Sequence, residues 1–324
     1  MRAAVIEELG TPPRAGERED PARGAGEALV EVTAAPLNPI EIRVASGSFA
    51  RRAQPPYVPG LEGAGRVVES DRVAPGRRVR FEGAALPGFG NQGTLAELAG
   101  VEEDSLVELP DSVDDAQAAA LGVVGITAAL ALDRAGIAAA ERVLVLGATG
   151  AVGQAAVQLA RARGAGRIVA AGRNREGLAR ALELGADAAV TLDSAGELLA
   201  GEFKEAAGGA LDVVVDPLWG PPAMAALTTL ADYGRHVNVG QSAGTDVDVP
   251  IDQVRNRQGA IHAISSGWTP VPEKATVYRR LLDDVAAGRL AVDHELIPLD
   301  EVAGAWERQA ESPHRKLVIQ IPGG

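Results

Sequence analysis

The 324-residue chain contains no cysteine, which removes disulfides, iron–sulfur clusters, thiolate zinc sites and a cysteine nucleophile together. Histidine is scarce as well. The four present, His236, His262, His294 and His314, are scattered, with none at the i, i+4 spacing of a helical metal pair, so no dedicated metal site is expected. Aromatic residues make up only 3% of the chain, too few to mark a stacking platform for a planar ligand. Long apolar runs are missing too. The longest, residues 116–132, covers about 17 residues against the ~20 of a typical span, and it contains Gln117, Gly122, Gly125 and Thr127. A packed core helix is the expectation, and no membrane partner. The start, Met1-Arg-Ala-Ala-Val-Ile-Glu-Glu, has acids where a signal peptide needs its apolar stretch, which points to a cytoplasmic protein. An excess of positive charge is absent: the formal net charge of −13 opposes nucleic acid and anionic membranes. A phosphate-bearing ligand must therefore be held by local arginines and helix N-termini.

What is present is an ordinary globular composition, 46% hydrophobic and 23% charged, enough for two domains with cores of their own. The most informative stretch is Arg142-Val-Leu-Val-Leu-Gly147-Ala148-Thr149-Gly150-Ala151-Val152-Gly153. A strand of Val143 to Leu146 stops at Gly147, where the backbone must turn tightly. Gly150 lets main chain approach a pyrophosphate without an intervening Cβ, and Gly153 lets the following helix lie close. The first-turn amides of that helix suit a negative group. With 39 glycines in the chain such spacing arises easily by chance, so its surroundings must carry the reading. They do: residues 151–163 place Val152, Ala155, Ala156, Leu159 and Ala160 on one helical face, and residues 167–171 form a second buried strand. Strand, glycine turn, helix and strand within about 30 residues make a dinucleotide-binding βαβ unit.

The end of the second strand reads Gly172-Arg173-Asn174-Arg175. An NAD site places an acid about 20 residues past the glycines, whereas an Arg there suits the 2′-phosphate of NADPH. Arg173 can grip a phosphate through two parallel hydrogen bonds, and no acid occurs before Glu176. The cofactor expected is NADPH.

Residues 1–115 are turn-rich, with short strand-like runs at 3–9, 27–33, 65–69, 78–81, 94–98 and 105–109. Residues 116–287 alternate helix and strand, with further strands at 188–191, 211–216, 235–239 and 260–264. This predicts an α/β fold with a Rossmann-type doubly wound parallel sheet beside a β-rich domain. Residues 288–324 give strand, helix (301–311) and strand, expected to return to the first domain. Ligands of such sheets lie outside the carboxyl ends of the strands, so the substrate cleft is expected between the domains.

Taken in order, a series of segments resembles the medium-chain dehydrogenase/reductase superfamily, in its zinc-free quinone oxidoreductase-like branch. They are Ala35-Pro-Leu-Asn38-Pro-Ile-Glu41, Tyr57-Val-Pro-Gly60-Leu-Glu62-Gly-Ala-Gly65, Gly93-Thr94-Leu-Ala96-Glu97, Ala120-Leu-Gly-Val-Val-Gly-Ile-Thr127, the glycine turn, Gly185-Ala-Asp187, Asp212-Val-Val-Val-Asp216-Pro, Gly234-Arg-His-Val-Asn-Val-Gly240 and Ala287-Gly288-Arg289. The resemblance implies a GroES-like catalytic domain over residues 1–115 and a homodimer joined through residues 260–264. It implies Asn38 and Thr127 around the nicotinamide and its ribose. Val239, Gly240, Gln241 and Ser242 would line the cofactor channel, with Lys316 near it. Zinc-dependent relatives place Cys in the region of Pro36-Leu37 and Gly-His-Glu at Gly60-Leu61-Glu62; without that Lewis acid, alcohol oxidation is disfavoured. Hydride delivery from NADPH to a quinone or an α,β-unsaturated carbonyl is the expected reaction, with solvent supplying the proton. Tyr residues of some quinone reductases align with Arg43 and Leu192, and the cleft candidates are Arg43, Tyr57 and Trp268.

Alternatives are an enoyl-thioester reductase and a non-catalytic NADPH-binding protein. Gly240-Gln241-Ser242-Ala243-Gly244 matches a hydrolase elbow, but residues 245–250 read as extended where a helix must follow. A short-chain dehydrogenase needs Tyr-x-x-x-Lys, and the residues four past Tyr57, Tyr233 and Tyr278 are Leu61, Val237 and Leu282.

Overall fold

The computed structural model describes residues 1–49, 53–83 and 92–322. In chain order it begins with β1 (Arg2–Val5), β2 (Arg14–Glu17), β3 (Glu27–Pro36), α1 (Pro39–Ala45), β4 (Glu62–Glu69), β5 (Arg78–Glu82), β6 (Leu98–Glu102) and β7 (Val107–Glu108). Next come α2 (Asp115–Ala135), β8 (Arg142–Leu146), α3 (Ala151–Ala162), β9 (Arg167–Gly172), α4 (Arg175–Glu183), β10 (Ala188–Thr191), α5 (Gly196–Ala207) and β11 (Leu211–Asp216). The chain ends with α6 (Gly220–Leu227), β12 (Leu230–Asn238), α7 (Ile251–Asn256), β13 (Ala260–Ala263), α8 (Val271–Ala286), β14 (His294–Pro298), α9 (Val302–Ala310) and β15 (Lys316–Gln320).

Two compact units result. The first comprises Met1–Val123, Pro270–Ala286 and Ala291–Gly324, the second Val124–Thr269 and Ala287–Leu290. Helix α8 thus belongs to the first unit although it follows the alternating pattern in sequence.

In the first unit, β3 alternates buried and half-buried residues, as a strand covered on one face must. It pairs antiparallel with β4, β6 and β15, so the last strand of the chain closes onto one of the first. The sheet continues through β5 to β7 and, on the other side, from β15 to β14. Val30, Val32, Phe81, Leu95, Leu317 and Ile319 fill the core beneath it. The strand expected at 94–98 instead starts at Leu98. Residues 94 and 95 are drawn away from the ladder: their amides bond to Gly60 and Pro59 carbonyls, and the Thr94 hydroxyl to Glu62 O at 2.6 Å. The run at 105–109 shortens to β7 because residues 103–105 wind into a 3₁₀ turn, and β2 was not anticipated.

In the second unit the described residues form a six-stranded sheet ordered β10-β9-β8-β11-β12-β13, parallel throughout. The chain winds outward from β8 to β10, then crosses back to place β11 on the other side of β8. That reversal is a topological switch point, the place where open α/β sheets bind ligands. The central strands β8, β9 and β11 are runs of Val, Leu, Ile and Ala, almost wholly buried, as cover on both faces requires, whereas β10, β12 and β13 keep half-buried and exposed residues. Helix α2 is long and apolar enough to cross a membrane, yet 72% of its most apolar window is buried within the protein.

Candidate functional site

At the switch point β8 ends at Gly147, whose φ of +59° explains the glycine. A Cβ on Gly153 would stand 2.3 Å from Gly147 O and 2.6 Å from Ala148 Cα, so the first turn of α3 rests directly on the turn backbone. Gly150 is different. A Cβ there would meet nothing nearer than Gly147 O at 3.6 Å, which leaves open space above the turn. Gly150 is also the N-cap of α3, and no side chain caps it, so Ala151, Val152 and Gly153 open the helix without a competing side-chain acceptor. This combination suits a pyrophosphate: space over Gly150 and a helix N-terminus beside it. Thr149, buried, wedges between Gly172 and Gly177, where added Cβ atoms would fall 2.5 and 2.7 Å from it.

The end of β9 holds the residues expected to choose the nucleotide. Asn174 caps α4, its Oδ1 accepting from Gly177 N at 2.6 Å. Arg173 is exposed and makes no hydrogen bond or ion pair among the described residues, whereas Arg175 lies 3.5 Å from Asp193. An unengaged guanidinium at this position fits a 2′-phosphate.

On the other side of the turn, β11 ends at Asp216, which is fully buried. Its Oδ1 accepts from the amides of Leu218 (2.8 Å) and Trp219 (2.9 Å), and its Oδ2 bonds to His236 Nε2 (2.8 Å) and Asn238 Nδ2 (3.1 Å). Burial pushes the carboxyl pKa up, but the His236 hydrogen bond, its charge and the other donors win, holding it below the usual carboxylate range. Sequence reading did not single out this hub; Asp216-Pro following a buried strand was its only signal. The expected channel residues follow β12. Val239 donates its amide to Asp216 O (2.8 Å), and Gly240 O accepts from Asn238 (2.6 Å). Gln241 and Ser242 are exposed, with Ser242 Oγ 3.3 Å from Pro217 O. After Ser242 the next helix among the described residues starts at Ile251, which excludes a nucleophile elbow at Ser242. Thr127, nearly buried, donates to Ser266 Oγ at 2.9 Å, a partner the sequence did not suggest. Trp268, two residues on, is 69% exposed.

The first unit carries a buried polar network centred on Asn38, the residue before α1. Lys316 Nζ donates to Asn38 Oδ1 at 2.6 Å, and Asn38 Nδ2 donates to Glu62 Oε1 at 3.3 Å. Glu62 Oε2 accepts from Arg80 Nη2 (2.9 Å) and Val123 N (2.7 Å). The carboxylate needs Gly122 beside it, since a Cβ there would lie 1.8 Å from Oε2. Arg80 also bonds Glu82 at 3.1 Å, Lys274 reaches the same carboxylate, and the Arg80 guanidinium sits 5.0 Å from the Tyr278 ring centroid. Glu41 accepts from the amides of Asn38 (3.1 Å) and Leu61 (2.9 Å). Burial nonetheless pushes its pKa up to about 7, and burial lowers that of Lys316. Lys316, expected near the cofactor, is thus engaged with Asn38. Tyr57 is a core residue whose pKa burial raises to about 12, and Arg43 is exposed on α1.

A metal does not fit this network. Glu62 Oε2 is already shared by a guanidinium and an amide, Leu61 offers no ligand atom, and the described residues contain no group of three or more His, Cys, Asp or Glu that could hold an ion.

Residues 24–111 match the family model for the alcohol dehydrogenase GroES-like domain, and residues 151–278 that for zinc-binding dehydrogenase. The chain is 33% identical over 254 residues to a quinone oxidoreductase of Rattus norvegicus, covering 76% of this chain and 75% of that protein. It belongs to the medium-chain dehydrogenase/reductase superfamily, in the quinone oxidoreductase-like branch. A crystal structure of the quinone oxidoreductase from Thermus thermophilus, also solved in complex with NADPH, superposes with a TM-score of 0.80 at 31% identity, over 99% of this chain and 100% of that one. A segment of erythronolide synthase EryA2 from Saccharopolyspora erythraea is 36% identical over 69% of this chain, though it spans only 6% of the synthase. As a member of this branch the protein is an oxidoreductase of the kind that uses a nicotinamide cofactor. The β-rich first unit is the GroES-like domain, and the parallel-sheet second unit is Rossmann-like.

Proposed function

We propose that the protein is a zinc-independent, NADPH-dependent reductase of quinones or α,β-unsaturated carbonyls. The observation that carries the cofactor choice is Arg173, an unengaged guanidinium at the end of β9 with no acid before Glu176. Bound reduced nicotinamide supplies a hydride. The protein's own residues have three tasks: to hold the dinucleotide, to keep water from the reacting carbon, and to stabilise the oxygen that gains charge on the acceptor. Gly147 to Gly153 hold the pyrophosphate, and Gly172, Arg173 and Asn174 the adenosine end. Val239 to Ser242 line the channel, and Thr127 bonds the ribose.

Asn38 is proposed as the donor to the acceptor's oxygen. Its Oδ1 accepts from Lys316 and one Nδ2 proton goes to Glu62, which leaves the second Nδ2 proton to give. The ammonium on Oδ1 polarises the amide and strengthens that donor. The two-electron balance closes with one proton from solvent, on the enolate carbon or the quinol oxygen.

NADPH oxidation with a panel of quinones and enones tests the reading. Turnover with members of the panel is expected, whereas tight NADPH binding with no turnover on any would favour a binding protein. A second reading is an enoyl-thioester reductase, which uses the same hydride chemistry on a larger acceptor; crotonyl-coenzyme A reduced much faster than any quinone would select it. We also propose a homodimer through β13, supported by the position of that strand at the sheet edge with half-buried residues 260–262.

A further inference from the structure

Trp219 has a backbone that few side chains accept. Its φ of +55° and ψ of −159° lie in a region populated almost only by glycine, and a bulky residue there is strained. The surroundings hold it in place. Asp216 accepts both the Leu218 and the Trp219 amides, Ala243 N donates to Leu218 O at 2.7 Å, and the indole meets the His236 ring edge-on at 5.9 Å. The same loop packs on the dinucleotide turn: a Cβ on Gly147 would stand 3.0 Å from Pro217 Cγ and 3.1 Å from Leu218 Cδ2. Trp219 is half-buried, and its indole N–H has no hydrogen-bond partner among the described residues. Strain that persists at the carboxyl end of a sheet, beside the ligand crevice, points to a ligand.

The strand order says which part of the ligand. With the pyrophosphate over the turn after β8 and the adenosine end over β9, the rest of the dinucleotide must extend the other way, past the ends of β11 and β12. Trp219 follows β11. We propose that Trp219 is a binding residue for the nicotinamide–ribose half of the cofactor, its ring offering an apolar wall and its N–H a donor. This rests on the reading of the second unit as a dinucleotide site.

The test is NADPH titration of the wild type, Trp219→Gly and Trp219→Phe, followed by energy transfer from tryptophan to the bound dihydronicotinamide, with Tm measured alongside. In the wild type, transfer should rise with saturation. Trp219→Gly should lose most of it and bind NADPH about tenfold more weakly, as expected for one lost aromatic contact with its hydrogen bond, while Tm holds or rises because glycine takes this backbone freely. Trp219→Phe should fall between the two in affinity. Unchanged transfer and affinity in both variants would overturn the proposal. A wild type that binds neither NADPH nor NADH would instead overturn the dinucleotide reading, and the proposal with it.

Discussion

Lys316 and Asn38 lie 278 positions apart in sequence, yet the Lys316 ammonium donates to Asn38 Oδ1 across 2.6 Å inside the first unit. The bond fixes which way the Asn38 amide faces. Removing the cation in Lys316→Met leaves that oxygen buried and unpaired, so the amide loses its orientation. The expected result is a fall in kcat of about tenfold or more, with KM for NADPH changed by less than about twofold. Lys316→Arg should recover part of kcat. Equal losses in both variants, tracking a lower Tm, would reduce Lys316 to a purely structural role.

Arg80 and Glu62 are both almost completely buried and 2.9 Å apart. Such a pair adds little over a well-packed apolar substitute, but losing one partner strands a charge. Arg80→Met should therefore cost roughly 3–5 kcal/mol in denaturant unfolding, and adding Glu62→Gln should return part of it. Additive losses in the double variant would contradict the pairing.

Gly150 and Gly153 should behave differently when changed to alanine. Gly153→Ala drives a Cβ into turn backbone and should lower both Tm and NADPH affinity. Gly150→Ala meets only an ordinary contact at 3.6 Å, so Tm should hold while affinity falls. An unchanged affinity in Gly150→Ala would remove the pyrophosphate from this turn.

Glu41 should make stability fall as pH rises. Its pKa is about 4.5 unfolded and about 7 folded, so the folded chain binds the proton more tightly. That contribution is complete below 4.5 and is lost as pH rises through 7, with a limit on the order of 3 kcal/mol. Glu41→Gln cannot titrate, so its Tm relative to wild type should climb between about pH 5 and 8. A flat difference would show Glu41 ionised throughout.

Arg173→Ala should weaken NADPH roughly tenfold or more while leaving NADH nearly unchanged, since only the 2′-phosphate loses its partner. Calorimetric titration of both nucleotides reads this directly. Equal losses for the two would assign Arg173 no part in the choice.

The Rossmann-like fold of the second unit was legible because its signals are local. Glycines and apolar runs lie within a span of about 30 residues, the size of one βαβ unit. The network around Asn38 was not legible. Arg78-Val-Arg-Phe-Glu82 alternates like a half-exposed strand, which would send Arg80 to solvent; instead it is 1% exposed because Glu62, 18 positions away, meets it there. Lys274, on a helix 192 positions from Glu82, completes the balance of charge. Trp219 was hidden for another reason: nothing in Pro-Leu-Trp-Gly marks a backbone that glycine normally occupies.

Hydride transfer from NADPH to an electrophilic π-system is read by isotopic labelling. The protein is incubated with NADPH carrying deuterium at C4 and an α,β-unsaturated ketone, and the product is read by mass spectrometry and NMR. One deuterium from one face of C4 is expected at the β-carbon, with the α-proton drawn from solvent. Bound NADPH that passes no deuterium to this ketone, to a quinone or to an enoyl thioester, leaving all three unreduced, would contradict it.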